Sequence, residues 1–227
     1  MNPEILLNLL FILVISTILI YTGLKNKPGI GILAAVILIA IQLLYSRKSL
    51  ALIGFEAPKH WWNLILAGLG IGLILQLLSV VLLEPFTEKI TGMKHNHSIV
   101  LAVKGNWKLF LQWMLIVWLL VAVLEEGIYR GYLMTEFKKI FGMSIMALII
   151  NVTFSSIVFG LSHGYQGISG ILSTGILGAI LGIIFIFSNF NLWLVIFTHG
   201  FIDTIGIGLI ALGWDQRLLK MVWGIKY

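Results

Sequence analysis

The chain has 227 residues, of which 59% are hydrophobic and 11% charged, with a formal net charge of +6. A soluble domain is roughly 45–50% apolar and about 25% charged, so this composition leaves no polar skin and excludes a soluble, disordered, collagen-like or disulfide-stapled protein. The lack of cysteine excludes a thiol nucleophile and Cys-ligated zinc, and the basic excess belongs in loops facing the cytoplasm and anionic lipid rather than on nucleic acid.

A helix needs about 20 apolar residues to cross the hydrocarbon, and the chain offers such runs in series. Ile5 to Tyr21 comes first; with no basic residues ahead of it and no small-residue cleavage site after it, it is expected to be a retained anchor. A short loop with Lys25, Lys27 and Pro28 leads to a second run, about Gly29 to Tyr45. Residues 47–60 contain Pro58 and are mixed, so a loop or interfacial segment is expected. The third run is about Trp61 to Leu83, with Trp61 and Trp62 suited to an interfacial aromatic belt. Residues 84–108 form the longest polar stretch. The fourth helix is predicted from about Leu109 to Lys139, longer than one crossing needs. Three more follow, at about Met143–Leu161, Ile168–Phe187 and Phe190–Leu212, before a polar tail.

The predicted fold is therefore all-α, a polytopic membrane helix bundle of about seven transmembrane helices, with six or eight as alternatives. Residues 1–108 form N-terminal helices and a polar loop, 109–212 a core, and 213–227 a C-terminal tail. With seven spans, Lys25, Lys27, Lys89, Lys94, Lys104, Lys108, Arg217, Lys220 and Lys226 fall on one side, and Arg47, Lys48, Lys59, Lys138 and Lys139 on the other. The positive-inside rule then puts the C-terminus in the cytoplasm.

Ionisable residues inside the spans carry the functional signal, because a charge at membrane depth costs a few kcal/mol even on the lenient insertion scale. Glu125, Glu126, Arg130, His163, His199 and Asp203 are such residues, and together they call for a shared polar cavity. Glu126 and Arg130 are i,i+4, the spacing that pairs side chains on one helix face. Glu125 is rotated about 100° away on an α-helix and is left free to handle a water. Phe159 and His163, and His199 and Asp203, are also i,i+4. A carboxylate and an imidazole converging on one water make a general-base site, and a second imidazole can serve a carbonyl oxygen under attack. No serine stands in a nucleophile elbow and no HExxH motif is present. Taken singly, each group has a plainer reading: a structural ion pair, an interfacial histidine, a hydrogen bond within one helix. Phe159 reads as packing, and Gly160, Gly164, Gly167, Gly170 and the Gly178/Gly182 pair read as close helix contacts. His95-Asn96-His97 hints at a metal but also suits a solvated loop.

Glu125-Glu126-Gly127-Ile128-Tyr129-Arg130 matches EExxxR, Phe159-Gly160-Leu161-Ser162-His163 matches FxxxH, and His199-Gly200-Phe201-Ile202-Asp203 matches HxxxN/D. In order and separation these motifs resemble the CPBP (Abi) family, which contains CAAX prenyl endopeptidases of the Ras-converting type and bacteriocin-processing or immunity proteins. The resemblance covers about residues 109–212 and implies an intramembrane endopeptidase in the cell membrane. It implies that Glu125 and His163 activate the water, that His199 and Asp203 lie at the oxyanion side, and that Glu126 and Arg130, with Phe159, brace the site. The CAAX branch has Asn where this chain has Asp203, and an ionised carboxylate cannot donate to an oxyanion; Asp203 is then either protonated or a partner of a cationic His199. The expected cofactor is none, with zinc held by Glu125, His163 and His199 as the alternative. The expected partners are a peptide or membrane-protein substrate and the bilayer, with no nucleic acid; oligomeric state is unreadable. A non-catalytic bacteriocin-immunity protein is the alternative function, and a transporter or proton relay ranks last, because no pair of interrupted helices repeats in the two halves.

Overall fold

The structure is a computed structural model and describes residues 3–47 and 49–224; Lys48 and Lys226, counted above for orientation, lie outside them. Among the described residues there is no strand. Seven helices are long and apolar enough to span a bilayer: α1 (Pro3–Leu24), α2 (Pro28–Tyr45), α3 (Trp61–Thr91), α4 (Trp107–Phe141), α5 (Ile145–Ser162), α6 (Gly164–Phe187) and α7 (Leu192–Leu212). A short amphipathic helix, α8 (Asp215–Trp223), follows. The chain is a multi-pass integral membrane protein. Its outer surface is built accordingly: Leu66, Leu111, Leu115, Leu119 and Ile149 are all exposed, an apolar exterior that water would not tolerate but lipid does.

Two expectations need correction. The third helix does not stop at Leu83 but runs on to Thr91, so the polar connection is 92–106 rather than 84–108. Pro85 explains the irregularity on the way. It has no N–H to give Val81, four residues back; the helix takes wider π turns over Ser79–Leu83, and the Trp223 indole donates to the freed Val81 carbonyl at 2.7 Å. The fourth helix is likewise not uniformly α. It is π-helical over Val117–Glu125 and again over Gly127–Met134, with Glu126 between. Such widened turns concentrate at functional sites; here Glu125 closes the first π segment and Glu126 joins it to the second.

Close approach positions the helices that carry the motifs. Gly68 and Gly72 of α3 face α7. A Cβ on Gly68 would lie 2.6 Å from the Phe197 Cβ, and one on Gly72 would lie 2.8 Å from the Phe201 Cβ. Polar contacts replace water within the bundle. The Gln42 amide donates to the Asn8 Oδ1 at 2.8 Å and the Tyr132 hydroxyl bonds to the Gln42 Oε1, joining α1, α2 and α4. Trp118 of α4 donates its indole N–H to the Thr204 Oγ1 of α7 at 3.1 Å.

Candidate active site

Helices α4, α6 and α7 and the end of α5 contribute to the wall of a cavity of about 620 Å³. Glu125, Phe159, His163, His199 and Asp203 all line it, whereas Val117, Leu120, Leu177 and Leu181 form apolar parts of its wall.

The two acids of α4 do different things. Glu126 and Arg130 are wholly buried, and the Arg130 Nη1 donates to the Glu126 Oε1 at 2.7 Å. The Arg130 Nη2 donates to the Gly178 carbonyl at 2.9 Å. Gly178 is needed there because a Cβ would meet the Phe159 ring at 2.8 Å and the Arg130 Nη2 at 3.5 Å. The same Glu126 oxygen lies 2.7 Å from the His199 Nδ1. A carboxylate can only accept in its ionised form, so His199 carries its proton on Nδ1 and turns Nε2 toward the cavity. The Nε2 is 3.7 Å from the Asp203 Oδ2, beyond hydrogen-bond reach. The within-helix bond weighed for His199 and Asp203 is therefore not made: the histidine is held across the bundle by Glu126.

Glu125 points into the cavity. Its Oε2 accepts no hydrogen bond, and the His163 Nε2 is 3.7 Å away. His163 follows the last turn of α5, and its Nδ1 lies 2.7 Å from the Phe159 carbonyl. A carbonyl only accepts, so Nδ1 is the protonated nitrogen and Nε2 is free to face Glu125. The Ser162 hydroxyl also donates to this carbonyl and receives the Tyr129 hydroxyl, both at 2.7 Å.

Phe159 is the common contact of the three motifs. The Arg130 guanidinium lies 4.5 Å from its ring centre, the Tyr129 ring meets it edge-on at 4.8 Å, and the imidazoles of His163 and His199 lie 4.6 Å and 6.1 Å away.

Sequence reasoning missed three participants. Tyr129 and Ser162 stand at unspecified positions of EExxxR and FxxxH, yet a hydroxyl in an apolar span needs a partner, and that need was the available signal. Tyr165 lines the cavity with its ring 5.6 Å from His163; it sits in a stretch that reads only as a turn. Among the described residues the one group of three ligating side chains with donor atoms within 4.8 Å of one another is Glu84, His95 and His97, not Glu125, His163 and His199.

The remaining wall comes from the start of α2 with Pro28 and Ile32, from Gln76, Ser79 and Glu84 of α3, from the 92–106 connection, and from Asp215 and Gln216 of α8. Burial draws the His95 imidazole below the usual histidine range. It acts on His97 too, but there the adjacent Glu84 carboxylate more than offsets it and the imidazole titrates above that range.

No curated protein and no solved structure matches the chain. Residues 107–205, which contain all three motifs, match the model of the Rce1-like family, described as type II CAAX prenyl endopeptidase Rce1-like; over this segment, less than half of the chain, the protein is similar to that family.

Proposed function

We propose that the protein is an intramembrane endopeptidase that hydrolyses a peptide bond of a membrane-associated peptide or protein, with residues 109–212 as its catalytic core. The observation that carries this reading is the Glu125 Oε2, which makes no hydrogen bond, facing the His163 Nε2 across 3.7 Å on an otherwise largely apolar cavity. A gap of that size between two acceptors suits a bridging water. Glu125 takes a proton from this water as its oxygen attacks the scissile carbonyl carbon. His163, fixed in one tautomer by the Phe159 carbonyl, orients the water through Nε2. The negative charge developing on the carbonyl oxygen is met by His199, protonated on both nitrogens, with Glu126 behind Nδ1 and Asp203 facing Nε2. This favours Asp203 as an anionic partner of His199 rather than a direct donor. When the C–N bond breaks, Glu125 returns its proton to the leaving amine, so hydrolysis consumes one water and regenerates the site.

The bulk of the cavity lining is apolar, which suits an extended substrate tail entering from lipid. Comparing the peptides in membranes containing the intact protein with those containing Glu125→Gln tests the reading. New peptide termini found only with the intact protein support it; identical peptide sets refute it.

A further inference from the structure

A second cluster of ligating side chains lies on the same cavity and outside all three motifs. Glu84 stands near the end of α3; His95 and His97 belong to the connection that follows. One donor atom from each lies within 4.8 Å of the other two. The His97 Nε2 is 3.2 Å from the Glu84 Oε2. Two ligands on a tetrahedral ion, each at about 2.0–2.1 Å, stand about 3.3 Å apart.

The backbone explains why the two imidazoles meet. Residues 94–97 are not helical, and along an extended chain side chains two apart project to one side while the one between projects to the other. Asn96 is that middle residue. Its N–H donates to the Gln166 carbonyl at 3.0 Å, and its side-chain amide donates to the Tyr165 carbonyl at 3.0 Å. The His95 N–H donates to the Glu88 Oε1 at 2.8 Å. These bonds fix the segment without using a ring nitrogen, and the two rings lie nearly parallel, centres 4.3 Å apart. Outer partners are present as well: the Ser173 Oγ is 3.3 Å from the His95 Nδ1, and the Ser79 Oγ donates to the Glu84 Oε1 at 3.4 Å. Metal-ligating His and carboxylate groups are commonly oriented by such neighbours.

We propose that Glu84, His95 and His97 bind a divalent transition-metal ion of the zinc class on the wall of this cavity. Two imidazoles and a carboxylate are a donor set that zinc accepts, and three protein ligands leave a fourth position open. The ion ties the end of α3 to the 92–106 connection and, through Asn96, to the start of α6. It is separate from Glu125 and stands whether or not the chain hydrolyses peptides.

The test is a titration of the chelator-stripped, full-length protein in detergent with cobalt(II) and then zinc(II). The expected result is one ion per chain, the intense visible bands of tetrahedral cobalt, their loss as zinc displaces it, and a higher unfolding temperature with zinc. His97→Ala and the isosteric Glu84→Gln weaken binding at least about tenfold, whereas Glu125→Gln binds as the intact protein does. Metal-free unfolding temperatures of the two ligand variants, equal to that of the metal-free parent, show that binding and not folding was lost. Absence of binding, unchanged affinity in both ligand variants, or loss of binding in Glu125→Gln overturns the proposal.

Discussion

Glu126 accepts from two directions at once, from Arg130 on its own helix and from His199 on α7. Removing the guanidinium leaves a buried carboxylate with one partner. Arg130→Met is therefore expected to cost about 3–5 kcal/mol of stability, seen as a large fall in unfolding temperature. Tyr129 acts one step further from the proposed chemistry. Tyr129→Phe removes a single hydrogen bond to Ser162, worth about 1 kcal/mol. It loosens the carbonyl and hydroxyl that orient His163, so kcat is expected to fall several-fold with KM nearly unchanged. The i,i+4 pair Glu126–Arg130 was readable from spacing alone, because both partners share a helix. The contacts Glu126–His199 and Glu125–His163 join residues far apart in the chain, and no periodicity within one helix encodes which face of α7 or which end of α5 meets α4.

At the scale of elements, the seven crossings were legible because twenty-residue apolar runs leave few alternatives, and their limits shift by only a few residues, apart from the eight-residue extension of α3 and the start of α6. The π turns were not legible. Hydropathy does not distinguish i→i+4 from i→i+5 bonding, and only Pro85 gave a local reason to expect a break. The glycines of α5 and α6 drew notice, whereas Gly68 and Gly72 of α3, which set the closest approach to α7, did not. Gly72→Ala forces a Cβ against the Phe201 Cβ and the Thr198 carbonyl, 2.8 and 2.9 Å away. It is expected to cost about 1–3 kcal/mol by overpacking, measured as a lower unfolding temperature in detergent.

For the whole molecule, the fold places Pro28, His95, Asn96, His97, Tyr165, Asp215 and Gln216 around one cavity, so the connections after α1, α3 and α5 and the tail share one end of the bundle. The Gly54 carbonyl receives the Leu192 N–H at 3.1 Å and Lys138 lies over the Phe190 ring, which gathers the other connections at the opposite end. The first end holds most of the loop lysines and arginines, so the positive-inside rule leads to the expectation that it faces the cytoplasm. Because the chain has no cysteine, single cysteines report cleanly: Met93→Cys and Met221→Cys are expected to react with an impermeant thiol reagent only in inverted vesicles, and Met143→Cys only in intact cells. The central claim is that the Glu125 carboxylate activates water for peptide cleavage. It is tested most directly by the cleavage rate of Glu125→Gln in lipid nanodiscs, on a membrane peptide that the intact protein cuts. Loss of a general base predicts a fall of about 10²–10⁴-fold with an unchanged unfolding temperature; a variant that cuts as fast as the intact protein contradicts the account.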